Sequence, residues 1–392
     1  MTNDFNQFDA MHFIYGADLS LLKRNKDLGV HYFSEEGDPV CPVEFFSQHG
    51  VQWARLRLFY DPSMEGAQIN DLAYTLALAS DLNAAGYLLL LDFHYSDTWA
   101  DPQKQYPPSA WLDLSFDALV EAVYCYTYNV ICEMKGNGVF PSMVQIGNEI
   151  TPGMLWDHGR LSPSYLSHLH RSSQSPLTYD SVMLSSWERL GVLLKAGIRG
   201  VEESIGRNIP ILLHIDRGGD METSQCFFDE IIRQGVRFDV IGLSYYPFWH
   251  GSLEDFENTL EFLGKRYGKG ICLVEFAYPY KMQNLYENTG SDTGHGIRDS
   301  WLRTCREYPV SKEGQGRILN ALLEILKSSS HGMGFFYWAP EWIPIEGFTD
   351  FSDEADAAAC SARALFDENG RALPAFSILK KHSSEVRPLN YA

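Results

Sequence analysis

Met143-Val144-Gln145-Ile146-Gly147-Asn148-Glu149 is an apolar run closed by a carboxylate, and Ile271-Cys272-Leu273-Val274-Glu275 repeats that pattern far downstream. Runs of this kind read as buried strands. A carboxylate at the end of one is costly unless it is paired or put to use. Two such acids, distant in sequence and facing one cleft, are what glycoside hydrolysis requires. Apolar segments of the same kind lie at residues 12–19, 51–58, 87–94, 142–149, 209–216, 238–246, 270–276 and 332–338. Their β-branched and aromatic content, with Gly, Asn or Pro close by, fits buried parallel strands.

Helical spacing fills the intervals. Residues 71–85 are rich in Leu and Ala and stop at Gly86, and apolar residues recur at three- and four-residue steps over 116–134, 181–205, 256–267 and 315–327. Strand followed by helix, repeated about eight times, predicts an α/β fold: a single (β/α)8 TIM barrel with its chemistry at the C-terminal strand ends. One domain then spans residues 1–392, with the barrel over about 12–380 and a short N-terminal extension. No linker, low-complexity tract or solenoid repeat interrupts it. The long connections follow the third, fourth, seventh and eighth strands (95–113, 150–180, 277–313 and 339–358), the positions that shape a cleft.

Composition narrows the function. The 392 residues are 45% hydrophobic, enough for a large core, and carry a net charge of −20. Such acidity repels phosphate backbones and anionic membrane surfaces, so neither nucleic acid nor membrane is an expected partner, whereas a neutral substrate meets no such barrier. Aromatic residues reach 14%, a share that suits sugar stacking if some stand at strand ends. No stretch approaches the roughly 18 apolar residues of a membrane helix. The seven cysteines are odd in number and contain no C-x-x-C pair, which argues against a disulfide framework or a zinc site. The opening Met1-Thr2-Asn3-Asp4-Phe5 has no basic or apolar signal region. Together these features predict a cytoplasmic protein, or a secreted one if a leader has been removed. Oligomeric state is not encoded in any pattern read here.

The strand ends are unusually polar. Arg55 and Arg57 close the second strand, Asp92 and His94 the third, Asn148 and Glu149 the fourth, and His214 and Asp216 the fifth. Tyr245 and Tyr246 close the sixth, Glu275 the seventh and Trp338 the eighth. A lone strand-end histidine is more often structural than catalytic; it is the concentration at one end of one barrel that points to chemistry. Burial raises a carboxyl pKa, which suits Glu149 to acid/base work, and Asn148 can hydrogen-bond a substrate hydroxyl. Arg55, if close, would keep Glu275 ionised as nucleophile, and Tyr246 could orient it. No Gly-rich phosphate loop follows a strand, so no organic cofactor is expected.

These residues resemble glycoside hydrolase family 53, the endo-β-1,4-galactanases. The most specific match is Leu91-Asp92-Phe93-His94-Tyr95-Ser96-Asp97-Thr98-Trp99-Ala100-Asp101-Pro102, followed by Lys104-Gln105. Val144-Gln145-Ile146-Gly147-Asn148-Glu149-Ile150-Thr151, Tyr15-Gly16-Ala17-Asp18-Leu19-Ser20, Asp239-Val240-Ile241-Gly242-Leu243-Ser244-Tyr245-Tyr246 and Gly334-Phe335-Phe336-Tyr337-Trp338 look like its fourth, first, sixth and eighth strands. The resemblance implies a retaining mechanism with Glu149 as acid/base and Glu275 as nucleophile. It places Arg55 and Asn148 around the cleaved bond, with Asp92 beside them at the end of the third strand. His94, Trp99 and Asp101 fall on the cradling loop, Asp216 and Tyr246 nearby, and Trp338 beneath the sugar. The substrate it implies is β-1,4-linked galactan or galacto-oligosaccharide; the alternatives are a related retaining barrel hydrolase acting on another β-glycan or β-galactoside, and a non-catalytic sugar-binding barrel.

The resemblance also has departures. The Thr-Asn-Trp-Pro usual after the nucleophile is Phe276-Ala277-Tyr278-Pro279. The Asn-Gly-Trp-Asp of the fifth-strand loop is Arg217-Gly218-Gly219-Asp220, which lacks a stacking Trp. Trp-Glu-Pro-Ala-Trp becomes Trp338-Ala339-Pro340-Glu341-Trp342. These changes, with the expected cytoplasmic location, point toward short oligosaccharides. Some family members are thought to hold calcium after the last strand. Asp350, Asp353, Glu354 and Asp356 cluster there, but their spacing matches no EF-hand loop and reads as a solvated acidic segment, so no metal is predicted.

Overall fold

The computed structural model describes residues 13–162, 181–205, 209–282, 295–345 and 360–385. Eight parallel strands close into a barrel: β1 (Ile14–Asp18), β2 (Trp53–Leu58), β3 (Leu88–Phe93), β4 (Met143–Ile146), β5 (Ile211–Ile215), β6 (Val240–Ser244), β7 (Gly270–Phe276) and β8 (Gly332–Tyr337). Each strand pairs with its sequence neighbours, and β1 closes the ring against β8. The fold is the expected (β/α)8 barrel.

Helices α1 (Pro42–Gln48), α2 (Leu72–Ala84), α3 (Phe116–Gly136), α4 (Ser181–Ile205), α5 (Met221–Arg233), α6 (Leu253–Tyr267), α7 (Lys312–Ser328) and α8 (Ala375–Ser384) follow the strands in turn. Side-chain caps start several of them. Asp71 accepts from Tyr74 N, Ser115 from Ala118 N and Asp220 from Thr223 N, while Ser252 and Asp255 form a capping box that starts α6. The periodicity reading does not contain α1, α5 or α8. In α5 the buried Phe227, Phe228 and Ile231 form one apolar stripe on an otherwise polar helix, a helical-period pattern that is present in the sequence.

Two apolar layers build the core. A large one packs the outer strand faces against the helices, with Leu56, Leu91, Ile146, Leu213, Leu243, Leu273 and Phe335 among its members. A smaller one plugs the barrel: Ile14, Trp53, Leu90, Met143, Leu212, Val240, Cys272, Val274, Met333 and Phe336. The side-chain period of two carries each strand from this plug to a polar layer above it. Trp53 leads to Arg55, Leu90 to Asp92, Met143 to Gln145 and Leu212 to His214. The β7 strand departs from that rhythm, because Val274 belongs to the plug and the next residue, Glu275, also enters the polar layer. The pairing of β6 with β7 shifts register between Leu243 and Ser244, setting Ser244 opposite Glu275. A bulge of this kind re-aims side chains.

The connections carry more structure than a bare loop. After β4, Gly153–Met154 pairs antiparallel with Gly159–Arg160, and a helix, His295–Glu307, stands between β7 and α7. The acidic cluster at Asp350, Asp353, Glu354 and Asp356 lies outside the described residues. Among the described residues no helix is long and apolar enough to cross a membrane.

Gly16 shows how tightly the plug is filled. A methyl group at that position would overlap the ring of Phe336. Gly16→Ala is therefore expected to destabilise the fold by about 3 kcal/mol, as overpacking of a closed core does. A urea midpoint equal to that of the parent protein would show that the plug has slack.

Candidate active site

Glu149 does not end a strand. The β4 strand stops at Ile146, and the chain turns through Gly147 (φ 80°) and Glu149 (φ 49°). Positive φ is incompatible with a strand, and at a non-glycine residue it marks strain that the surroundings hold in place. Gln105 supplies part of that hold, since its Nε2 donates to the Asn148 carbonyl at 2.7 Å. The sequence reading, which extends the strand through Glu149, is corrected here. The turn lifts the Glu149 carboxyl off the sheet and over the barrel mouth.

The two glutamates converge. One carboxylate oxygen of Glu149, one of Glu275 and a ring nitrogen of His214 all lie within 4.8 Å of one another. Glu275 is held at both oxygens: Arg55 Nη1 meets Oε1 at 2.9 Å, and the Tyr246 hydroxyl donates to Oε2 at 2.9 Å. Arg55 also meets Asp18 at 3.1 Å, Asp92 at 2.8 Å and Asn148 Oδ1 at 2.7 Å. The structure thus brings Arg55, Asp92, Asn148, Glu149, Tyr246 and Glu275 into one buried network. His94 joins it through Asp92, with Nε2 at 3.1 Å from the carboxylate, while its Nδ1 accepts from Ala100 N at 3.0 Å.

Glu149 has a different set of partners. Ser244 Oγ donates to its Oε1 at 2.6 Å, and His214 Nε2 lies 2.8 Å from the same hydroxyl. On the far side of the ring, Nδ1 lies 2.9 Å from Asn148 Oδ1. Asn148 Nδ2 donates to the Ala100 carbonyl at 2.8 Å, which turns Oδ1 toward the ring as an acceptor. Gln145 Nε2 also lies 3.1 Å from Nδ1, and the Glu149 backbone N–H donates to Nδ1 at 3.4 Å, so this ring nitrogen is surrounded by the turn that carries Glu149. The Ser244 hydroxyl thus sits between the Glu149 carboxylate and His214 Nε2 and donates to the carboxylate. Burial and the nearby Arg55 charge push the His214 pKa well below its usual value, so the ring stays neutral.

Electrostatics separate the two acids. Burial, then the charges of Glu275 and Asp216, push the Glu149 pKa well above the carboxylate range. Burial also raises Glu275, to about 7, but Arg55 opposes it. Glu275 is therefore the first of the pair to ionise.

The remaining expected residues are peripheral to this network. Trp99 and Trp338 are partly exposed with ring centroids 6.3 Å apart, and Trp338 lies 6.5 Å from Tyr246, so aromatic faces line the mouth. Arg57 stacks on Trp99 at 4.1 Å. Asp216 accepts from Thr151 Oγ1 at 2.5 Å and pairs with Arg217 at 3.1 Å. Asp101 caps a turn, accepting from Gln103 N at 2.8 Å, and touches neither glutamate directly. Gln145, His214 and Ser244 join the network without being among the residues expected to bind or cleave the sugar. Their signal is a polar residue at an inward strand position.

A barrel with two buried carboxyl groups facing each other at its C-terminal mouth, one paired to arginine and the other not, defines the class of glycoside hydrolases. The comparisons with known proteins agree. The model of Glycosyl hydrolase family 53 matches residues 14–379. An uncharacterized protein in the bgaB 5′ region of Niallia circulans is 39% identical over 375 residues, covering 94% of this chain and 93% of its own. The endo-beta-1,4-galactanase of Bacillus subtilis is 28% identical, covering 94% and 85%. Among solved structures, the GH53 catalytic domain of Ignisphaera aggregans superposes with a TM-score of 0.78 at 35% identity, covering 94% of this chain and 95% of that one. The chain belongs to glycosyl hydrolase family 53.

A carboxyl with a raised pKa binds its proton more tightly in the folded chain than in the unfolded one. That stability is fully present below the unfolded value and is lost as pH rises through the folded value. Glu149→Gln removes the loss. Its thermal midpoint is expected to exceed the parent's at about pH 8, with the gap closing toward about pH 4, where an unfolded Glu is half protonated. A gap independent of pH would contradict the raised pKa.

Proposed function

We propose that this protein is a retaining β-1,4-galactanase in which Glu275 is the nucleophile and Glu149 the acid/base. The observation that carries this reading is the approach of the two carboxylates to within 4.8 Å. Retaining enzymes hold their carboxyl groups about 5–5.5 Å apart, while inverting ones leave about 6.5–9.5 Å for a water molecule.

In the first step Glu275, ionised beside Arg55, attacks the anomeric carbon as Glu149 gives its proton to the departing glycosidic oxygen. With Oε1 bound to Ser244, Oε2 is the oxygen that carries this proton. A glycosyl ester on Glu275 and a free sugar hydroxyl result. Glu149, now a carboxylate and steadied by the Ser244 hydrogen, takes a proton from water. The hydroxide equivalent attacks the same carbon from the opposite face, which releases Glu275 and restores the configuration. Each step uses side chains of the chain itself and needs no cofactor.

The relatives named as galactanases support galactan as the substrate class. Short β-1,4-galacto-oligosaccharides suit this mouth best. Gly219 stands where the family pattern has its stacking Trp, and the His250 carbonyl occupies the space a side chain there would need.

The decisive experiment is a product profile on linear β-1,4-galactan and its oligosaccharides. Hydrolysis with β-configured initial products is expected. Glu275→Ala should abolish turnover, with azide restoring cleavage as a glycosyl azide of inverted configuration. Absence of cleavage, or α-configured initial products, would overturn the reading.

Ser244→Ala provides a finer test. Loss of its donated hydrogen bond raises the Glu149 pKa, so the alkaline limb of kcat/KM should move to higher pH while the acid limb stays in place. An unmoved alkaline limb would separate Ser244 from the acid/base.

A further inference from the structure

Arg363 is 7% exposed, yet its guanidinium has no hydrogen-bond acceptor among the described residues and no carboxylate within 4.0 Å. Its Nε is sealed from solvent without a partner. Arg55, the arginine at the centre of the site, meets Asp18, Asp92, Asn148 and Glu275. A buried cation whose donors go unused is costly, and stacking on rings offsets only part of that cost.

Its neighbours are aromatic. The Arg363 guanidinium stacks on Phe248 at 4.6 Å and on Trp249 at 5.2 Å. Trp249 in turn lies 5.3 Å from the ring of Tyr246, whose hydroxyl binds Glu275. The positive charge is felt at Tyr246, where it works against the upward push of burial and Glu275. The backbone beneath is fixed, since the Arg363 carbonyl accepts from the Tyr337 hydroxyl at 2.8 Å and its N–H donates to Cys360 O at 3.0 Å. Arg363 therefore stands two aromatic rings away from the nucleophile, through Trp249 and Tyr246. Trp249 beside it is partly exposed.

We propose that Arg363 and Trp249 form a sugar-binding subsite next to the one occupied by the reacting ring. The ring of Trp249 stacks on a pyranose face, and the Arg363 guanidinium donates to that sugar's hydroxyls. The occupant is neutral rather than a uronate, because the chain's net charge of −20 disfavours an incoming anion. The proposal rests on the galactanase reading and extends it from the reacting ring to its neighbour.

The test is a fluorescence titration of two proteins, Glu149→Gln and Glu149→Gln/Arg363→Met, with galactose and with galactotriose. A charged donor lost from a sugar hydroxyl weakens binding by about tenfold or more. The ratio of galactotriose to galactose affinity should therefore fall at least about tenfold in the double variant. Arg363→Lys in the same background should give an intermediate fall. General damage to the site would lower both affinities together and leave the ratio unchanged, which overturns the subsite whether or not binding weakens. If Glu149→Gln itself binds no galactotriose, the galactan reading fails and takes the subsite with it.

Discussion

Arg55 is the cation around which the site is organised. It is 1% exposed and lies under the barrel mouth, with carboxylates of Asp18, Asp92 and Glu275 within 3.1 Å and the Asn148 amide oxygen at 2.7 Å. Three carboxylates around one guanidinium leave a negative excess, and the desolvation is severe. A neighbouring charge relieves part of it. Arg57 reaches Asp18 at 3.7 Å, and against the upward push of burial the two arginines, with hydrogen bonds from Ser20, hold the Asp18 pKa below its usual value. The remaining excess falls on Glu275, and beyond it on Glu149. The asymmetry between the two acids therefore originates below the cleft, in which carboxylates Arg55 can and cannot reach.

Much of this was legible from the chain alone, for a physical reason. A parallel barrel buries both faces of each strand, so its strands read as continuous apolar runs, and a charge at the end of one stands out. Arg55, Asp92, Glu149 and Glu275 are visible on that ground. The contacts of Ser244 and His214 with Glu149 are not. Ser244 is small and neutral, and its importance depends on a register shift that hydropathy does not record. His214 stands at a strand end in the sequence, but nothing there says that its two nitrogens lie beside Ser244 and Asn148. The turn at Glu149 was hidden for a related reason. Ile146-Gly147-Asn148-Glu149 continues an apolar run smoothly, and only the positive φ angles reveal that the strand has ended.

The displaced glutamate after β8 shows a different limit. In the sequence Glu341 is one of the departures from the family motif after the eighth strand. In the structure it is completely buried, and its Oε1 accepts from Leu21 N at 2.9 Å. Its own carbonyl accepts from Asn25 Nδ2 at 3.0 Å and from the Tyr32 hydroxyl at 2.9 Å. One residue thus ties the segment after β8 to the segment after β1. Burial and the Asp18 charge lift its pKa to about 8, so it holds a proton at neutral pH and joins the seam without adding another anion. Ala339, which takes the glutamate's usual place, adopts a φ of 46° beside Trp338. The exchange alters how the aromatic floor is supported and leaves the carboxyl pair intact.

Stability and chemistry make opposing demands on Glu149. A buried carboxyl at a strained turn, next to a second acid, is a liability to the fold, and an apolar or amide side chain would fit there at less cost. What the arrangement gains is two adjacent carboxyl groups that ionise in a fixed order. Arg55 and Tyr246 favour the charge on Glu275, while Glu149 has only neutral partners, Ser244 and through it His214. A cation beside Glu149 would lower its pKa toward that of Glu275 and erase the order. The neutrality of His214, enforced by its burial and by Arg55, is thus as much a part of the site as the charge on Arg55 itself.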